Sequence, residues 1–248
     1  LLCFLNTDAS LNTHKSHMKE DLPRRTRSIS LKLEKAYGKK RWKARGDPLS
    51  ELIATILSQN TSDQNSHRAY SSLRSRLGTW DKVRRAKVRT IASAIRSGGL
   101  ADVKAKRIKD ILKRIHKENH NLDLSFLKRW RTERIKEYLS NFKGVGEKTV
   151  ACVLLFSLKR PVMPVDTHVW RVSRRIGLVP VKADAKKTEV ILEGLVTGQM
   201  IYQFHMNLIA HGRNVCKATN PRCEECVLLQ DCPYGKKAVS SLSGSTNL

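Results

Sequence analysis

The chain has 248 residues, enough for one large domain or two small ones with apolar cores. Its 48 Lys and Arg outnumber its 22 Asp and Glu, and the net charge of +26 gives a long-range potential that favours polyanionic partners. No apolar run in this sequence approaches the roughly 20 residues of a spanning helix.

The first 23 residues read as a disordered leader. Its apolar patch, LLCFL, is too short for a secretory signal, and Cys3 sits in polar sequence without a motif. Met18-Lys19-Glu20 suits a translation start inside that leader. Asp47-Pro48 then supplies a cap and an N1 proline ahead of Leu49, Leu52, Ile53, Ile56 and Leu57, a core-facing stripe. Gly78 and Gly98-Gly99 read as helix stops. Ile108, Ile111, Leu112 and Ile115 repeat the helical period with basic residues on the other face. Ile135, Leu139 and Phe142 belong to the next helix, and Val150 to Leu158 is apolar on nearly all sides. Asp184 starts a helix whose apolar positions are Val190, Ile191 and Leu195. No segment alternates with period two, so the fold class is all-α. The Ser/Gly-rich tail, residues 236–248, reads as disordered.

Three constellations carry chemistry. Gly144-Val145-Gly146 lets the backbone approach a phosphate at a helix N-terminus, although taken alone a plain structural turn is the favoured account. Its flanks resemble the helix-hairpin-helix motif, which grips one strand without reading sequence. Lys148 follows in the first turn of the next helix, where the macrodipole disfavours positive charge; the bland alternative is a solvated lysine. Asp166, eighteen residues on, is a carboxylate partner, a cap for the helix starting at Thr167, or both. Near the end, Cys216, Cys223, Cys226 and Cys232 read C-x6-C-x2-C-x5-C, ligands in a reducing compartment. Spacing alone leaves zinc and iron–sulfur open. Cys152, in VACVLLF, reads as core filler.

FKGVGEKTV, PVDTHVWRV and the four cysteines, in this order and at these spacings, resemble the endonuclease III family within the helix-hairpin-helix glycosylases. The resemblance runs from about Arg24 to Gly235, and the L-S-Q-N-T form resembles an archaeal-type branch. It implies a two-lobed all-α fold: residues 47–160 as a six-helix barrel ending in the hairpin, and residues 161–235, joined by an N-terminal helix over residues 24–46, as a [4Fe–4S] cluster lobe. Double-stranded DNA with damaged or abasic sites would lie in a basic cleft between the lobes, its damaged base flipped out. Lys148 would attack C1′ and cut by β-elimination, with Asp166 stabilising charge, and the four cysteines would hold the cluster. Lys217 and Arg222 in the cluster loop would reach phosphates. The resemblance also assigns DNA contacts to Gly144, Gly146 and His168. A wedge glutamine falls on Gln59 or Asn60, and a wedge leucine on Leu100. Lys143, where the family has proline, and Glu147 depart from the pattern. The expected protein is a cytoplasmic, nucleoid-associated monomer acting on oxidised pyrimidines.

Two rivals remain. A monofunctional adenine or thymine glycosylase of the same fold lacks the hairpin lysine, and its adenine-removing form needs an acid where Thr55 stands. A non-catalytic helix-hairpin-helix module would have no use for both Lys148 and Asp166.

Overall fold

The computed structural model describes residues 9–243, and among them every regular element is helical. The chain divides into two units, one of residues 42–164 and one of the chain up to Arg41 with Val165 onward. This boundary differs from the expected breaks after residues 46 and 160. Trp42 Nε1 donates to Leu155 O at 2.7 Å, and Arg45 N to Phe156 O at 3.2 Å, so residues 42–46 are tied to the first unit. Val162 is part of that unit's core.

In residues 42–164 the helices are α2 (Pro48–Ser58), α3 (Asp63–Leu77), α4 (Trp80–Arg85), α5 (Val88–Ala94), α6 (Ala101–Asn119), α7 (Thr132–Ser140) and α8 (Glu147–Phe156). Asp47 caps α2, its Oδ1 accepting from Ser50 N at 2.9 Å, and Pro48 occupies a position where no amide donor is needed. The stripe Leu49, Leu52, Ile53, Ile56 and Leu57 is fully buried. Each such side chain contributes about 1.5–3 kcal/mol on leaving water, so Leu52→Ala costs about 2–5 kcal/mol. Helix α8 is buried at every position from Thr149 to Phe156 and packs on α2. The Ile108, Ile111, Leu112 and Ile115 face of α6 closes the same core. Phe126, Trp130, Tyr138 and Phe142 stack edge to face at 5.1–5.6 Å for neighbouring pairs, bracing α7 where it enters the hairpin.

The second unit holds α1 (Ala9–Tyr37), α9 (Thr167–Arg175), α10 (Ala185–Leu195), α11 (Ile201–Asn214) and α12 (Pro233–Ser243). Arg25 on α1 donates to Ile176 O, to Gly177 O at 3.3 Å and to Asp231 O at 2.7 Å. A guanidinium at the C-terminus of α9 satisfies carbonyls that the helix leaves open. Lys32 pairs with Asp231 at 2.6 Å. Both contacts lock α1 against the cysteine-bearing end of the chain.

Three expectations change here. The leader is helical from Ala9 onward, because α1 is anchored through Thr26, Ile29 and Leu33 and extending a docked helix costs little. Met18 falls inside this helix, while Cys3 lies outside the described residues. The tail is helical through Ser243: Pro233 opens α12, which packs on α9, with Tyr234 under the Arg175 guanidinium at 4.3 Å. On α10 the core takes Thr188 and Leu192, leaving Val190 63 % exposed. The buried face is therefore rotated from the one that apolar residues alone suggest.

Candidate functional site

Helix α7 ends in a turn in which Phe142 N donates to Leu139 O and Val145 N to Phe142 O. Gly144 follows with φ +81°, a left-handed backbone that suits glycine. A Cβ there would also collide with the Arg107 side chain, so the residue is glycine on two counts. Gly146 is the N-cap of α8 and provides no side-chain cap, while its carbonyl accepts from Thr149 N at 2.9 Å and Val150 N at 3.1 Å. Lys148 is half-buried in this turn, one residue before buried Thr149.

Gln59, just past α2, is fastened to this hairpin. Its Nε2 donates to Gly144 O and to Thr149 Oγ1, both at 3.2 Å, and its Oε1 accepts from Arg107 at 2.6 Å. Asn60 instead is exposed at φ +53°. Leu100 stands in a similar left-handed conformation, φ +49°, and is 57 % exposed. A leucine in this region costs about 1 kcal/mol or more and persists only where its surroundings hold it. Gly99 brings the two turns together: a Cβ on it would lie 4.0 Å from Asn60 O.

Several residues of this unit gave no signal in the sequence. Glu51 looks like a polar interruption in an apolar stripe, yet it is 6 % exposed. Burial raises its carboxyl above the usual range; Arg45, the Thr55 hydroxyl and Lys148 oppose that rise. Thr55, where an adenine-removing relative would carry an acid, is buried and donates to Glu51 Oε1 at 3.4 Å. Lys104 is 2 % exposed, which composition cannot indicate in a chain with so many surface lysines.

In the other unit Asp166 is half-buried and caps α9, its Oδ1 accepting from His168 N at 2.9 Å and Val169 N at 2.8 Å. His168 packs against Gly212 of α11, where a Cβ would come within 2.9 Å of its own. Its Nδ1 lies 3.0 Å from Arg171, whose Nε donates to Cys216 O and whose guanidinium also reaches Gly212 O. The aspartate's helix is thereby tied to the first cysteine.

The four cysteines line one cavity together with Ile176, His211, Val215, Pro221, Arg222, Tyr234 and Gly235. Burial pushes the Cys226 thiol up to about 11, and the neighbouring thiols push the same way. Burial raises Cys223 and Cys232 too. Binding of iron must displace these protons. Donors wait around the sulfurs: Leu228 N at 3.4 Å from Cys226 Sγ, Gly235 N at 3.2 Å from Cys232 Sγ, and Arg175 at 3.4 Å from Cys216 Sγ. His211 Nε2 lies 3.6 Å from Cys226 Sγ, and its Nδ1 is 2.9 Å from Tyr37 OH. Burial drives this histidine down to about 4, so a neutral ring faces the sulfur. Among the described residues no three His, Cys, Asp or Glu side chains converge on one ion. Thiols spread around a cavity and ringed by N–H donors fit a cluster with several corners. In the intervening loop Arg222 is engaged with Asn214 O at 2.7 Å and Glu225 at 3.1 Å, whereas Lys217 is exposed.

Comparison with known proteins agrees with these features. Residues 53–197 match the HhH-GPD superfamily of base excision DNA repair proteins, and residues 216–232 the iron–sulfur binding domain of endonuclease III. An Arabidopsis thaliana relative named as a DNA glycosylase is 43 % identical over 165 residues, 66 % of this chain and 56 % of that protein. The chain thus spans little more than half of that relative's length. Endonuclease III of Thermotoga maritima is 34 % identical over 191 residues, 77 % of this chain and 85 % of that one. A solved endonuclease III, trapped as a covalent intermediate with DNA, superposes with a TM-score of 0.76 at 26 % identity, covering 88 % of this chain and 98 % of that one. Fold, hairpin and cysteine loop converge on one assignment: the chain belongs to the HhH-GPD superfamily of base excision DNA repair proteins, in its endonuclease III branch with an iron–sulfur domain.

Proposed function

We propose that the protein is a bifunctional DNA glycosylase and abasic-site lyase acting on damaged bases in duplex DNA. The observation that carries this reading is Lys148, half-buried in the first turn after an uncapped glycine hairpin. Its neutral amine attacks C1′; the C1′–N bond forms as the glycosidic bond breaks, and the base leaves with a proton. Ring opening gives a Schiff base. Loss of a C2′ proton then expels the 3′ oxygen, cutting the strand. Asp166 stabilises the positive charge at the sugar and assists these proton transfers. The endonuclease III trapped covalently on DNA is a relative whose chemistry fits this sequence of steps.

Gly144 and Gly146 offer the hairpin backbone to a phosphate, and His168 lies beside Asp166 in sequence. Leu100 and Asn60 fill the gap left by the extruded base. Between Gln59 and Asn60 the choice falls on Asn60, because Gln59 is already held by Arg107, Gly144 and Thr149 while Asn60 is exposed. Oxidised pyrimidines are the proposed lesion class, and the protein acts as a monomer. Sodium borohydride trapping of the purified protein on an abasic duplex tests the activity: a covalent adduct is expected, and its absence would return the chain to the monofunctional or non-catalytic reading.

Cys216, Cys223, Cys226 and Cys232 would hold the [4Fe–4S] cluster, which would cross-link the C-terminal loop. Cys226→Ser should lower bound iron well below the wild-type content of about four atoms per chain. The loop has few apolar residues to hold it otherwise, so its amides should exchange faster. Full iron content in this variant would remove Cys226 from the ligand set, and one stoichiometric zinc in the wild type would replace the cluster.

A further inference from the structure

Lys104, in the first turn of α6, is the largest fully buried side chain among the described residues. An ammonium taken out of water is destabilising unless its donors are satisfied. Here Nζ donates to Leu57 O at 2.9 Å and to Gly98 O at 2.7 Å, two main-chain carbonyls from different segments. Leu57 O belongs to the last turn of α2, where carbonyls lack helical partners and the dipole favours a cation. Asn60 follows three residues later and Leu100 follows Gly98 by two, and both are exposed in left-handed backbone. Gly98 packs closely on the end of α2 and on α3, a Cβ on it falling 3.7 Å from Leu57 O and 3.1 Å from Ala69 Cβ.

We infer that Lys104 is a positioning residue for base extrusion, clamping the Asn60 turn and the Leu100 turn into one rigid wedge. This rests on the proposed lyase activity and on the wedge role of those two residues. A wedge must fill the vacated base position as a unit, since turns moving independently would let the duplex restack. Lys104 touches no DNA in this role; it acts through the carbonyls it holds. Burial and then the nearby Arg107 charge lower its pKa, the cost of placing a cation at this point.

The test compares strand cleavage at an abasic site in single-stranded and duplex DNA, using the full iron-loaded chain. A single strand has no partner to displace, so it needs no wedge. Lys104→Met keeps the length and removes the two donors. It should cut the single strand within about twofold of wild type and the duplex at least about tenfold more slowly. The fluorescence rise of 2-aminopurine placed beside the site in the duplex should disappear. In a Leu100→Ala background the same substitution should add little further loss. Parallel losses on both substrates, no loss on either, or full additivity with Leu100→Ala would overturn the clamp. Should Lys104→Met fail to fold, Lys104→Arg is measured by the same ratio, since a planar guanidinium cannot reproduce this two-carbonyl geometry. A preference for single strand raised about threefold or more is then expected, and an unchanged ratio overturns the clamp. Wild-type protein that cuts neither the single strand nor the duplex would sink the lyase activity itself, an outcome distinct from failure of the clamp.

Discussion

Lys148→Ala is expected to abolish borohydride trapping and strand cleavage, because a methyl group cannot form a Schiff base. The substitution is mild structurally. Lys148 is half-buried, and the bonds that fix the hairpin run through Gln59, Arg107, Gly144 and Thr149. Alanine is also a better helix former than lysine in the first turn, where a positive charge opposes the dipole. Melting temperature and affinity for an abasic-site analogue should therefore stay close to wild type. Persisting adduct formation by the variant would falsify Lys148 as the nucleophile. Another amine within reach would then have to be sought.

Much of this architecture was legible in the sequence because it depends on short-range patterns. The α2 stripe, the Asp47 cap, the Asp166 cap and the buried run Thr149 to Phe156 of α8 follow from helical period and capping chemistry, which act within a few residues. The same holds for the four cysteines. Long-range partners were not legible. Gln59 and Asn60 are adjacent polar residues, and only Arg107, 48 positions away, distinguishes them by holding one and leaving the other exposed. Lys104 stands in VKAKRIK and looks like surface charge; its burial depends on the carbonyl of Leu57.

The misread faces have equally physical origins. On α10 the three hydrophobes read from the sequence, Val190, Ile191 and Leu195, compete with Thr188, whose hydroxyl turns back to Asp184 O and so can be buried. The tail looked disordered from its composition, but Tyr234 and Pro233 dock α12 before the serine-rich part begins. His211 carries no motif, and its position between Tyr37 and Cys226 becomes visible only when α1 and α11 are packed together.

Asp166→Asn separates two roles that the structure superimposes on one side chain. As a cap, Asp166 uses Oδ1 to accept the amides of His168 and Val169. The asparagine carbonyl can do the same, and asparagine ranks with aspartate at this position, so α9 and its packing on α11 should persist. What asparagine cannot do is carry negative charge. If that charge stabilises the sugar as the glycosidic bond breaks, single-turnover excision should fall on the order of 10²-fold or more while DNA affinity is retained. Asp166→Ala provides the contrast, because it should lose the same activity and in addition about 1 kcal/mol of stability from the missing cap. Rates and melting temperatures of the two variants resolve the roles. Wild-type excision by Asp166→Asn would confine Asp166 to capping α9, and the charge stabilisation would then have to come from another carboxylate.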